Sequence, residues 1–122
     1  MIGYTTVGTN DLPRAVGFYD ALFAAVEIPQ LMKFERGIGW GPSFDKPMFS
    51  VMKPFDGKPA TIGNGTMIGL TFLNAEQVNT IHAKALALGG ADEGAPGPRG
   101  GGFYGAYFRD LDGNKIAAFC MT

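Results

Sequence analysis

The sequence predicts an α+β fold in a single domain built from two βαβββ modules. The first observation is an internal repeat: strand, helix, Gly/aromatic strand and apolar strand run from Tyr4, and the order begins again at Met67 in a chain of 122 residues. The second is that apolar residues at helical spacing follow the first strand of each repeat. We expect modules at about 1–58 and 64–122, with a small-molecule cleft between them.

The first module is predicted to contain one helix and four strands. Asn10 or Asp11 can cap the helix, and Pro13 is tolerated in its first turn. Apolar residues continue at helical spacing as far as Val26, and Pro29 ends the helix. Strands are predicted at Tyr4–Thr9, Leu31–Glu35, Ile38–Phe44 and Pro47–Lys53, and the turn-rich segment 54–64 connects the modules.

The second module is predicted to repeat this pattern after a strand at Thr66–Leu73. Asn74 can cap its helix, which Gly89-Gly90 ends. The Gly/Pro-rich segment Ala91–Gly102 is predicted to be a loop. Strands at Phe103–Arg109 and Lys115–Met121 follow, and the Asp-Gly pair between them predicts a hairpin turn.

Charge and composition exclude several functional classes. The net charge is -1 and no run of Lys or Arg occurs, which excludes an electrostatic nucleic-acid surface. No apolar stretch reaches the length of a membrane helix. The single cysteine, Cys120, has no partner for an internal disulfide. We therefore expect a cytoplasmic protein that does not enter membranes.

Two segments carry a family resemblance. The segment 7–19 (VGTNDLPRAVGFY) and the segment 103–116 (FYGAYFRDLDGNKI) resemble the opening and the closing hairpin of vicinal oxygen chelate proteins. That superfamily includes glyoxalase I, bleomycin resistance proteins and extradiol dioxygenases. The segment 63–66 before a strand is similar to one glyoxalase-like branch. The resemblance implies an open glyoxalase-like barrel and a homodimer.

The resemblance also implies four positions for metal ligands, and their residues here are unusual. In metal-dependent relatives these positions hold His and Glu, and here they are Tyr4, Ser50, Met67 and Ala117. Divalent metal sites need carboxylates, imidazoles or thiolates. We therefore predict that the cleft holds neither a metal nor another cofactor.

Nine residues are predicted to contact a ligand, several with a structural alternative. Tyr4 hydrogen-bonds a ligand or fills the pocket; Trp40 and Tyr104 stack on a flat ligand or pack between modules. Arg99 meets an anionic ligand from a flap over the cleft, or belongs to a solvated loop. The full set is Tyr4, Thr6, Trp40, Ser50, Met52, Met67, Arg99, Tyr104 and Ala117.

No catalytic residue is assigned. His82 lies on the second helix, Cys120 has no cationic neighbour in sequence, and Asp110 and Asp112 belong to a turn. The favoured hypothesis is a protein that binds a small organic molecule in a metal-free cleft. One alternative is a metal-dependent lyase, isomerase or dioxygenase of the same superfamily. Another is a structural or regulatory module with a filled cleft.

Overall fold

The computed structural model describes all residues from Met1 to Thr122 and contains two helices and eight strands. The predicted repeat is confirmed, because each half has the order strand, helix, strand, strand, strand. The first half consists of β1 (Tyr4–Gly8), α1 (Leu12–Ala24), β2 (Gln30–Lys33), β3 (Gly37–Trp40) and β4 (Met48–Met52). The second consists of β5 (Ile68–Thr71), α2 (Ala75–Ala87), β6 (Ala91–Pro98), β7 (Phe103–Arg109) and β8 (Lys115–Met121).

The two sheets have the same topology. Their strand orders are β1-β4-β3-β2 and β5-β8-β7-β6, so the first strand of each module lies at a sheet edge. In each sheet the first and last strands of the module are parallel, and the other pairs are antiparallel. No ladder joins the two sheets, which agrees with the predicted open barrel.

Both predicted helix caps are present. The Asp11 side chain accepts a hydrogen bond from the backbone N–H of Arg14, and Asn74 accepts one from that of Gln77. Glu27 adopts a positive φ of 60° shortly after α1, in a conformation that a helix cannot continue through. Each helix has 13 residues, and neither has the length and hydropathy needed to cross a bilayer.

One hydrophobic core serves both modules. The two helices contact each other, and a single cluster of 18 buried residues contains side chains from both helices and both sheets. Tyr19 and Leu22 of α1 and Val78 and Ile81 of α2 are fully buried in it. The helix-facing sides of the sheets are therefore covered within one chain.

The predicted loop at Ala91–Gly102 is wrong over most of its length. Residues Ala91–Pro98 form β6, which pairs with β7 through two register shifts. The Gly and Pro residues that predicted a loop are accommodated because β6 is an edge strand and its irregular register absorbs them. The two strands predicted after this segment, β7 and β8, have the predicted bounds.

A buried carboxylate joins the modules. The Tyr19 hydroxyl donates to Asp110 Oδ2 over 2.6 Å, and Asp110 also accepts hydrogen bonds from the backbone N–H groups of Asp112 and Asn114 and from Asn114 Nδ2. Burial raises the pKa of Tyr19 well above its ordinary value, and the charge of Asp110 raises it further. The hydroxyl therefore remains a donor at any ordinary pH.

We predict that Tyr19→Phe lowers the free energy of unfolding by about 2 kcal/mol, because it leaves a buried carboxylate with one hydrogen bond fewer. Urea unfolding followed by circular dichroism measures the change. Tyr104→Phe is the matched control, since that hydroxyl bonds Asn79 at an exposed site, and we expect a loss of about 0.5 kcal/mol. Equal losses for the two variants would contradict the role given to Asp110.

Candidate ligand-binding site

Each sheet has one face turned to the core and one face, here called the outer face, turned away from it. Alternation along β1 places Val7 in the core and Tyr4 and Thr6 on the first outer face. Thr6 is registered with Ser50, and Gly8 with Met52, so the side chains of Thr6, Ser50 and Met52 share that face. Tyr4 on the edge strand β1 is 68% exposed, whereas Ser50 on the neighbouring strand is 3% exposed.

Gly39 packs closely beside Ser50, and both residues are buried. The two residues are directly paired between β3 and β4, and a Cβ on Gly39 would lie 3.0 Å from Ser50 Oγ. The same added atom would lie 3.9 Å from the sulfur of Met48. The first outer face is thus a surface of Tyr, Thr, Ser and Met side chains without a charged strand residue.

The structure places Trp40 and Tyr104 on the core-facing sides of their sheets, away from the outer faces. Trp40 is 1% exposed, packs against Tyr19 and Phe23, and donates from Nε1 to Asp20 over 2.9 Å. Tyr104 donates to Asn79 of α2 over 2.7 Å. The cause is strand alternation, because Gly37 and Gly39 occupy the outer face and send Trp40 inward.

The second outer face has aromatic residues that the sequence analysis did not select. Tyr107 is registered with Ala117, and the rings of Phe103 and Phe119 stack with centroids 5.0 Å apart and an interplanar angle of 10°. Met67, which directly precedes β5, is 45% exposed. The hairpin register after the Asp-Gly turn contains the signal that would have found Tyr107, because it pairs that residue with the selected Ala117.

Cationic groups flank Tyr107. The Arg99 guanidinium carbon lies 5.5 Å from the centre of its ring, and Lys115 Nζ lies 5.8 Å from it. Arg99 follows the edge strand β6, and its side chain donates to the carbonyl oxygens of Ala95 and Gly97. This residue is exposed as expected, but it is held against the sheet rather than carried on a long loop.

A cavity borders the second outer face. It has a volume of about 690 Å³ and reaches Met67 but neither Tyr4 nor Ser50. Its walls are the connecting segment Thr61–Met67 together with Arg109 and Lys115. The four predicted positions are therefore divided between two sheets, with Tyr4 and Ser50 on the first and Met67 and Ala117 beside or on the second.

The remaining reactive side chains lie on the core side. His82 is buried on α2, with Nε2 3.0 Å from Asp92 Oδ1. The pKa of Asp92 is lowered, first by a hydrogen bond from the backbone N–H of Gly94 and then by one from His82. Cys120 is buried in the core, as its predicted packing role requires. None of these groups reaches either outer face.

Comparison with known proteins agrees with this architecture. A model of the glyoxalase/bleomycin resistance protein/dioxygenase superfamily matches residues 1–118. The crystal structure of a glyoxalase/bleomycin resistance protein from Albidiferax ferrireducens is 36% identical, with a TM-score of 0.89, and the match covers 100% of this chain and 99% of that one. The chain belongs to the glyoxalase/bleomycin resistance protein/dioxygenase superfamily.

Proteins of lower sequence identity share the fold. A glyoxalase/bleomycin resistance protein/dioxygenase family enzyme from Burkholderia phytofirmans is 16% identical with a TM-score of 0.75, and 98% of each chain is covered. A lactoylglutathione lyase from Agrobacterium tumefaciens is 19% identical with a TM-score of 0.71, over 98% of this chain and 92% of that chain. No curated protein matches the chain.

The residues at the four positions that the resemblance implies do not fit a divalent metal. Ala117 has no donor atom, Met67 offers a thioether, and Tyr4 and Ser50 offer hydroxyls. Nowhere in the chain do three or more His, Cys, Asp or Glu side chains come together in a group that could hold a metal ion. No chemical step can therefore be assigned to a metal held by these side chains.

We predict that protein purified without chelators contains far less than one equivalent of Mn, Fe, Ni or Zn per chain, because the donor set is too poor. Inductively coupled plasma mass spectrometry measures the metal content. A protein with one structural zinc, purified in the same buffers, is the control for metal loss. A stoichiometric divalent ion would show that the ligand positions have been wrongly aligned.

Proposed function

We propose that this superfamily member binds a small organic molecule on its outer faces in a metal-free site, and that a second copy of the chain completes this site. The observation that carries the proposal is the exposed polar and aromatic surface along β1 on the first outer face, where Tyr4 is 68% exposed and Thr6 is exposed beside it. The ring and the two hydroxyl groups can be covered by a ligand or by a partner chain. A filled cleft, as in a purely structural module, does not agree with this exposure.

The small residues on the second sheet support a ligand rather than simple packing. Gly69 is exposed and registered with Ala117, and a Cβ added to it would meet only Phe119, at 3.5 Å. Small side chains at these positions leave room for a bound molecule between larger neighbours. The exposed residues Tyr4 and Thr6 supply hydroxyl groups that can orient it, and Ser50 lies buried beside Thr6.

The proposal of a homodimer rests on two free edges. Strands β1 and β5 are both edge strands, and an apolar cavity of about 770 Å³ extends between them, bordered by Ile2, Ile68 and Leu73 among others. Edge strands beside exposed apolar surface are suited to pairing with another chain. A second copy can then bring its second outer face against the first outer face of its partner. The buried single thiol of Cys120 is ordinary for the cytoplasm, where we place the protein.

Ligand binding is predicted to depend on the space at Gly69. Gly69→Leu places a side chain on the second outer face, where an added Cβ meets only Phe119 at 3.5 Å, so the variant should fold. We expect it to weaken, by about tenfold, any ligand found by thermal-shift screening of a broad metabolite library, because overpacking a fitted site costs about 1–3 kcal/mol. Isothermal titration calorimetry measures the change.

Gly17→Leu is the control for that experiment. Gly17 is exposed on α1 with open space around it, so the variant adds the same side chain away from the outer faces. Its affinity for the ligand should equal that of the unchanged protein. A library that yields no ligand, or a ligand whose binding Gly69→Leu leaves unchanged, would contradict the proposed site.

Dimer formation is tested by substitutions next to the edge strands β1 and β5. We predict that the unchanged protein elutes as a dimer of 12.9-kDa chains, and that Ile2→Asp combined with Leu73→Asp weakens dimerisation by at least about tenfold, because buried carboxylates would replace apolar contacts. Size-exclusion chromatography with light scattering over a dilution series measures this. The control is Phe55→Asp, a 90% exposed position in the connecting segment. A monomeric unchanged protein would rule out the shared site.

A metal-dependent lyase, isomerase or dioxygenase remains the alternative from the sequence analysis. The lactoylglutathione lyase from Agrobacterium tumefaciens is similar in fold, and at 19% identity this likeness extends to the fold only. The side chains at the four family positions provide no donor set for such an activity. The binding function is therefore preferred.

A further inference from the structure

The cationic side chains on the second outer face differ in whether they form an ion pair. Arg109 is engaged, because its Nε donates to Glu93 over 2.7 Å. The hydrogen bond from Arg109 lowers the pKa of Glu93 below its ordinary value, and the charges of Arg109 and Lys115 lower it further. Arg99 and Lys115 form no ion pair within the chain. Arg99 and Lys115 therefore lie beside Tyr107 without an ion-pair partner, and the nearby Glu93 carboxylate is bound to Arg109.

Arg99 is held in place before any ligand arrives. Its Nη1 donates to the carbonyl of Gly97 over 3.0 Å and its Nη2 to that of Ala95 over 2.5 Å, while the guanidinium lies over Tyr107. These contacts leave other N–H donors of the guanidinium free. A side chain already ordered loses less entropy when it binds an anion.

Two glycines make this position possible. A Cβ on Gly94 would lie 2.9 Å from the Tyr107 ring and 3.5 Å from Arg99 Nη2. A Cβ on Gly97 would lie 3.1 Å from Arg99 Nη1. Larger residues would displace the guanidinium from the ring. Gly94 and Gly97 of the irregular edge strand β6 thus leave room for the Arg99 side chain on the second outer face.

The second outer face also changes in character along the strands. The ladder of β7 and β8 places Arg109 with Lys115 first, then Tyr107 with Ala117, then Gly105 with Phe119. Phe103 folds over Gly105 and stacks on Phe119. One end of this face is therefore cationic and the other end aromatic, with Tyr107, Ala117 and Gly105 between them.

We propose that the ligand is an aryl carboxylate or a closely similar flat organic anion. Its carboxylate binds the cations that flank Tyr107, Arg99 and Lys115, and its ring extends beside Tyr107 toward the pair of Phe103 and Phe119. This inference rests on the proposed binding function and narrows it to a ligand class. The guanidinium matches a carboxylate in geometry, and aromatic faces accept a flat ring.

The test uses 2-naphthoate and its neutral analogue 2-naphthamide as probes in calorimetric titrations of the full chain. We expect 2-naphthoate to bind more tightly than 2-naphthamide. Arg99→Gln and Lys115→Gln should each weaken 2-naphthoate by about tenfold and change 2-naphthamide by less than about twofold, because only the anion gains a charge-assisted hydrogen bond. Tyr107→Leu should weaken both probes, while Tyr107→Phe should retain them.

The matched control is Arg36→Gln. Arg36 also lies over an aromatic ring, 5.1 Å from the centre of Phe55, but it is outside the second outer face. Its removal changes the net charge equally and should leave both affinities unchanged. Circular dichroism melting of every variant shows whether the fold is retained.

The outcomes separate this inference from the proposed function. Equal binding of the two probes, or unchanged 2-naphthoate binding in Arg99→Gln, overturns the anionic ligand while a small-molecule site stands. Equal weakening by Arg36→Gln shows a general charge effect and also overturns the inference. Binding of neither probe overturns it as well, and the library screen with Gly69→Leu then decides the proposed function separately.

Discussion

The hydrogen bond from the Tyr19 hydroxyl to buried Asp110 determines how the two modules are arranged. Asp110 lies at the end of β7 and Tyr19 at the centre of α1, so the bond connects the helix of one module to the hairpin of the other. Asn114 in the same turn donates to the carbonyl of Gly8, and Asp112 accepts from Thr9 over 2.6 Å. A buried carboxylate needs several donors, and Tyr19 supplies the one that comes from the other module, beside three from Asp112 and Asn114 in the same turn. The two helices contact each other on the core side of the sheets.

The two modules have the same architecture, but the side chains on their outer faces differ. Both sheets have the same strand order, and both helices have an Asx cap. The first outer face has hydroxyl and Met side chains, whereas the second has aromatic and cationic ones. Topology depends on the alternation of apolar and polar residues, which many sequences satisfy, whereas ligand chemistry depends on a few individual side chains. Membership of the superfamily consequently establishes the fold and leaves the ligand to be argued from those side chains.

The sequence predicted local features well and longer-range placement less well. The strands on either side of the Asp-Gly turn have the predicted bounds, because that turn is encoded by adjacent residues. Strand β6 was missed because its Gly and Pro residues are tolerated only through an irregular pairing with β7. Trp40 was selected for the cleft because its distance from Tyr104 matches the repeat. That match says nothing about which sheet face the two rings occupy.

The sequence by itself determined the repeat of two similar modules, the helix caps, the superfamily and the residue types at the four positions that the resemblance implies. These depend on periodicity, turn chemistry and residue identity, all of which can be read along the chain. Only the tertiary structure decided which sheet face each strand residue occupies and which other side chains it contacts. In the structure Trp40 and Tyr104 lie on the core side of their sheets, and Arg99 and Lys115 lie beside Tyr107. Such contacts depend on strand register and on edge irregularities, which arise from packing across residues distant in the sequence.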